Sequence, residues 1–215
     1  MRPTPHLLFT ALLLAQAAAV AGAGELHGNV LEGRAPEAKH THAHDTVIWL
    51  EQVPDKTERQ LTHVPTHWFW KHRLPPLPLR ELVQSGRCYH PHVVAIPAGS
   101  ELVVHNQDSV WHGPFSVSAA RGFDLGKLAP GRADTLTFDS TGVVAVRCDI
   151  HPKMSAFVVV TPNHAFTQPD SAGDWRLPEL PAGHYVVHAW NPDRGDSRYE
   201  VDLPAHGSVN LPVHW

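Results

Sequence analysis

The chain has 215 residues and a formal net charge of −4 with its 18 histidines counted as neutral, and it holds no basic patch of the kind that binds nucleic acid. That length accommodates one large domain or two small ones. With 20 prolines, 15 glycines and only short apolar runs between them, the composition leaves little room for helices.

The chain opens as a leader. Arg2 gives a positive start, Leu7 to Val20 is apolar apart from Thr10 and Gln16, and Ala21, Gly22 and Ala23 are small. This is the layout of a secretory signal peptide over residues 1–23, with cleavage expected after Ala23 or, alternatively, after Ala21. The run is shorter than the ~20 residues a bilayer span needs, and no later stretch is long and apolar enough to cross. The expectation is an exported, soluble protein with no membrane span, periplasmic if the source is bacterial.

Residues 24–53 contain two expected strands, Glu25 to Leu31 and Thr46 to Gln52. The stretch between them carries His40, His42 and His44 at period two, on one face if extended. That suits metal capture, and a solvated loop is the alternative reading. Residues 54–75 mix charge, proline, histidine and aromatics and are expected to form an irregular connection. They include His63, His67 and His72, and the cluster Trp68, Phe69 and Trp70, which suits a cover over a sheet edge or a docking patch.

Residues 76–161 form a strand-rich block. Val93 to Ile96, Leu102 to Val104, Val143 to Val146 and Phe157 to Val160 are short β-branched runs bounded by Gly, Pro, Asn and Asp. Residues 165–215 form another such block, with "DSAGDW", "LPAGHY" and "NPDRGD" as turns. Two strands from residues 24–53 are marginal alone, and the C-terminal block holds too few strands to close a sandwich. Joined, 24–53 and 165–215 make one discontinuous sandwich with 76–161 inserted in a loop, a tolerated arrangement. The fold class expected is all-β, with two β-sandwiches.

The stretch "RCDIHPKM", residues 147–154, places Cys148, His151 and Met154 at C-x2-H-x2-M spacing on the turn after a strand. Type 1 copper takes two imidazoles, a thiolate and a weak axial thioether. Short spacing converges three donors on one ion, and the fourth comes from a neighbouring strand. In "VVHNQDSVWHGPFSVS" that fourth donor is His112, with His105 as the alternative. The competing reading is a Cys88–Cys148 disulfide, ordinary in an exported protein, with Met154 as core and His151 as a turn residue.

Residues 76–161 resemble the cupredoxins, the plastocyanin and amicyanin group of blue copper proteins, in "YHPHVVAIPAGSELVVHNQDSVWHG", "FDSTGVVAVRCDIHPKM" and "SAFVVV". The resemblance implies a Greek-key sandwich, one copper per chain, and His112, Cys148, His151 and Met154 as its ligands. The short loop looks like that of amicyanin. "NQDSVWH", "FDLG", "CDIHPKM" and "LPAGHY" also resemble exported plastocyanin-like proteins often labelled methylamine-utilisation proteins. The outer pieces resemble the carboxypeptidase-regulatory-like (transthyretin-like) sandwich in Gly28-Asn29-Val30 and "TQPDSAGDWRLPELPAGHYVVHAW". One departure stands out: the family commonly has Asn after the first ligand histidine, and here it is Gly113, which removes a side chain that braces the loop.

Trp111, beside His112, suits either a shield for the metal or plain core. No nucleophile–base pair and no paired carboxylates stand out, so the expectation is not an enzyme but an electron-transfer protein. It would be a monomer serving a redox partner such as a periplasmic cytochrome or dehydrogenase. The alternatives are a copper-handling protein that uses the histidine-rich segments, or a metal-free module held by the disulfide.

Overall fold

The computed structural model describes residues 23–30, 42–62 and 80–215. Residues 1–22, which hold most of the expected leader, and His40, His63, His67, His72 and the Trp68–Phe69–Trp70 cluster lie outside the described residues.

The middle block builds two sheets. One contains β3 (Glu81–Ser85), β4 (Cys88–His90), β6 (Ser100–Asn106) and β9 (Ala133–Phe138), ordered β4-β3-β6-β9. The other contains β5 (Val93–Pro97), β7 (Pro114–Val117), β8 (Gly122–Asp124), β10 (Gly142–Cys148) and β11 (Ser155–Thr161), ordered β5-β11-β10-β7-β8. Period-two alternation sends one row of each strand into a shared core. Leu82, Leu102, Val104, Leu136 and Phe138 meet Val94, Ile96, Val144, Val146, Val158 and Val160 there.

Strand β5 does not alternate, because all five of its residues are buried. Val94 and Ile96 face this core, while Val93 and Ala95 face outward onto Val47, Val159 and Phe166 in a separate apolar cluster. A strand covered on both faces reads as a continuous apolar run.

The flanking segments pair with each other across the middle block. β1 (Ala23–Asn29) pairs with β13 (Asp174–Arg176), β14 (Leu180–Pro181) and β17 (Ser208–Asn210). β2 (Val47–Leu50) pairs with β12 (Phe166–Thr167) and β15 (Gly183–Asn191), and β15 continues to β16 (Gly195–Leu203). Leu26, Ile48, Leu50, Trp175, Val187 and Val213 share one buried cluster between these strands. Gly28 is required here: a β-carbon on it would lie 1.9 Å from the carbonyl oxygen of Leu211.

Two local expectations are corrected. Residues 55–62, placed in an irregular connection by the sequence, form helix α1 (Asp55–Thr62). Asp55 and Glu58 occupy its first turn and Arg59 its last, which complements the helix dipole. The Glu58 carboxylate accepts the His164 amide and pairs with the His164 ring, so a tertiary contact fastens a helix too short to stand alone. His42 and His44 do not lie on an extended strand, since residues 43–45 form a 3-10 turn. Among the described residues no helix is long and apolar enough to cross a membrane.

Candidate metal centre

Inward alternation on β10 runs Val144, Val146, Cys148. Cys148 is the last residue of that row, so the pleat delivers its thiol, 3% exposed, to the end of the core. The β10–β11 ladder closes at Arg147↔Ser155. The intervening residues form a tight loop in which the Met154 amide donates to the His151 carbonyl at 2.9 Å. Met154 is buried in the same apolar cluster as Cys148. His112 arrives from the other side, on a backbone bridge to Leu128, and is fully buried.

These elements bring three donors together. Nδ1 of His112 lies 3.1 Å from Nδ1 of His151, and each lies 3.8 Å from Cys148 Sγ. Among the described residues this is the one group of three His, Cys, Asp or Glu side chains whose donor atoms lie within 4.8 Å of one another. An ion about 2.0 Å from each nitrogen and about 2.3 Å from sulfur would see about 100° between the nitrogens and about 125° from each nitrogen to sulfur. Those angles sum to about 350°, close to a plane, where a tetrahedral ion gives about 330°. The two nitrogens and the sulfur therefore fit the trigonal His2Cys part of a type 1 copper site, with Met154 buried in the same cluster as Cys148.

The surroundings bury His112, Cys148 and Met154 and hold the donors. The Gly113 amide donates to Cys148 Sγ at 3.4 Å, and the Asp149 amide donates to the Gly113 carbonyl at 3.0 Å. The loop before His112 is braced by Asn106, whose side-chain NH2 donates to Val110 and Leu128 carbonyls at 2.8 and 2.9 Å. Asn106 Oδ1 accepts the Asp108 amide. Asp108 Oδ2 in turn lies 2.8 Å from His112 Nε2. The bracing that Asn would give after the first histidine is thus supplied by Asn106, Asp108 and the Gly113–Asp149 contact. Burial, then the nearby His112 and Arg87 charges, hold the His151 pKa below its ordinary value, with Asp108 opposing.

Other sequence candidates fall elsewhere. His105 lies on the outward row of β6, paired with Glu81 at 3.2 Å, so the alternative first ligand is not at the site. His42 and His44 stack with ring centroids 4.9 Å apart and nearly parallel, away from the centre. Trp111 is 54% exposed and is not core. The disulfide reading is corrected: Cys88 and Cys148 are both free thiols. On β4 the alternation turns Cys88 outward and Tyr89 inward. It is Tyr89 that reaches the Cys148 strand, its hydroxyl donating to the Arg147 carbonyl at 3.1 Å. Burial, with the nearby Cys148 and Asp149, raises the Tyr89 pKa despite the opposing bond from Gln84.

Sequence reasoning passed over Asp108, Asp149 and Tyr89 as parts of the centre. The four-residue spacing of Asp108 and His112 was the available signal. Asp149 and Tyr89 carry no signal, because their contacts cross between strands.

No protein-family model matches the chain, and no curated protein does. Solved structures do. A copper-containing nitrite reductase from Thermus scotoductus SA-01 is 28% identical over 40% of this chain and 23% of its own, with a TM-score of 0.36. The Cu(I) form of an amicyanin variant is 20% identical over 37% of this chain and 79% of its own, with a TM-score of 0.36. A purple cupredoxin from Nitrosopumilus maritimus is 24% identical over 38% of this chain and 98% of its own, with a TM-score of 0.34.

The middle block is cupredoxin-like. Its own residues carry that statement: two facing sheets, an Asn-containing loop leading to His112, and a last hairpin carrying Cys148, His151 and Met154.

Proposed function

We propose that this chain is an exported type 1 copper protein that carries electrons, with His112, Cys148, His151 and Met154 holding one copper ion. The observation that supports this most directly is the buried triangle of two imidazole nitrogens and one thiol sulfur, 3.1, 3.8 and 3.8 Å on its sides. Copper bound there exchanges one electron between its cuprous and cupric states.

The chain's own residues do the rest. Cys148 offers the sulfur, and the Gly113 amide stabilises its thiolate. His112 is sealed from solvent, whereas His151 is half-buried on the loop and gives the edge nearest a partner. Met154, buried at the end of that loop, would offer its thioether sulfur as the fourth donor and tune the potential. Four donors on one ion would fill the coordination that a substrate needs, and that favours electron transfer over catalysis. The partner is a second redox protein of the same exported compartment, such as a cytochrome or dehydrogenase. Segments 24–53 and 165–215 form the second, transthyretin-like sandwich, a reading supported by the pairing of β1 and β2 with strands of residues 166–210.

The test is the visible spectrum of the mature protein with one equivalent of Cu(II), beside Cys148→Ser. An intense thiolate-to-copper band, lost in the variant, is the expected result. A colourless wild type under the same conditions ends the proposal.

A further inference from the structure

We propose that Asp108 is a positioning residue of the metal centre, gripped by the β3–β4 hairpin turn and fixing the His112 ring so that its Nδ1 faces Cys148 and His151. The inference rests on the copper reading above and deepens it.

The chain of contacts is short and directional. Gly86 and Arg87 form the two-residue turn between β3 and β4, with φ of 61° and 58°. Two-residue hairpin loops of this kind need positive φ at both positions, which glycine takes freely and arginine does not. Arg87 is the only non-glycine with positive φ among the described residues. Strain of this sort persists where the surroundings enforce it, and it gathers at functional sites.

What the turn holds is a carboxylate. The Gly86 amide donates to Asp108 Oδ1 at 2.7 Å and the Arg87 amide to Oδ2 at 2.9 Å. Consecutive backbone N–H groups converging on an anion form a rigid cradle. Asp108 Oδ2 is then left 2.8 Å from His112 Nε2. A carboxylate that accepts from two backbone amides also accepts from the ring, so the proton sits on Nε2. The lone pair is left on Nδ1, the atom 3.1 Å from His151 and 3.8 Å from the sulfur. The partner of the second ring nitrogen thus selects the donor nitrogen and its direction.

The competing role is purely architectural, with Asp108 capping the hairpin turn and the histidine lying beside it. The two roles separate in Asp108→Asn, which keeps the shape and removes the charge. Positioning predicts a 10- to 100-fold loss of Cu(II) affinity in a competition titration, the range for such partners. It also predicts a shifted thiolate-to-copper band and a higher reduction potential, because a negative charge near the cupric ion is gone. A capping role predicts a lower melting temperature of the metal-free protein with affinity, band and potential unchanged, and that result overturns the proposal.

A measurement on the unaltered, metal-free chain guards against a variant that fails to fold. Long-range 1H–15N correlation above pH 7 should show His112 as the Nε2–H tautomer, and an Nδ1–H tautomer overturns the proposal. A wild type without any thiolate-to-copper band defeats the copper reading itself. A blue wild type matched by Asp108→Asn in affinity and potential defeats only the positioning role.

Discussion

Gly113 and Asp149 occupy one another's space: a β-carbon built on Gly113 would lie 1.7 Å from Asp149 Oδ1. The two residues also share a backbone hydrogen bond, and Asp149 pairs with Lys127 across the surface. The loop that carries His112 and the loop that carries Cys148 and His151 are therefore in contact at Gly113, where the Asp149 side chain lies over the glycine. Gly113→Ala should turn the exposed Asp149 side chain away from Lys127 and cost under about 1 kcal/mol, the range for losing an exposed ion pair. Asp149→Ala alone should cost little, because the Lys127 pair is exposed. In the double variant the same pair is lost only once, so the costs should fall short of additive, and a double-mutant cycle of unfolding free energies measures the coupling. Additive costs in that cycle count against the contact.

Met154 combines a packing role with the proposed axial one. It is 2% exposed within the core, so Met154→Ala should destabilise the metal-free protein by about 2–5 kcal/mol. Met154→Leu conserves volume and should cost less than about 1.5 kcal/mol. If the thioether is the axial ligand, the leucine variant still shifts the reduction potential and the thiolate band of the copper form. Voltammetry on the leucine variant separates the two roles, and an unchanged potential removes Met154 from the ligand set.

Two thiols of unequal access are expected. Cys88 is exposed and Cys148 is buried. A chromogenic disulfide reagent should titrate one thiol quickly in the folded, metal-free protein and a second only on unfolding. Cys88→Ser should abolish the fast phase and leave the copper spectrum intact. Absence of any thiol in the unfolded chain would mean the disulfide exists after all.

Stability should vary with pH through His92 and Asp45, whose Nδ1 and Oδ2 are 3.5 Å apart. The bond to Asp45 raises the His92 pKa, against burial and with help from the charges of Asp45 and Asp193. Burial pushes Asp45 up, but the bond and charge of His92, with His44 and the His42 amide, bring it below its ordinary value. A raised histidine contributes fully below its unfolded pKa of about 6.5 and loses that contribution as pH rises through its folded value. A lowered aspartate contributes above about 3.9 and loses it as pH falls through its folded value. The stability difference between wild type and His92→Gln should thus peak between about pH 4 and 6.5. With the His92 side chain 38% exposed, it should stay under about 1 kcal/mol. Urea melts across pH measure it, and a difference that grows above pH 8 contradicts the pairing.

Much of the centre was legible in the chain. C-x2-H-x2-M at the end of an alternating strand places three donors on one short loop, because loop length alone limits how far they separate. The choice of His112 over His105 needed the pleat: Val104 and Asn106 point inward on β6, which forces His105 outward toward Glu81. Helix α1 was not legible, since its eight residues are nearly all polar, with Leu61 the one large apolar side chain, and its anchor, His164, lies more than a hundred positions away.

The sequence by itself determined the mostly β character, the position of the loop carrying Cys148, His151 and Met154, and the apolar rows that bury it, all of which follow from local spacing and alternation. Only the tertiary structure decided that Cys88 stays free while Tyr89 reaches the Cys148 strand, that Gly113 makes room for Asp149, and that a hairpin turn more than twenty residues upstream holds Asp108 against His112. Those are contacts between strands and loops far apart in the chain. They depend on which faces meet when the sheets pack, and no periodicity within one strand encodes its neighbour across the core.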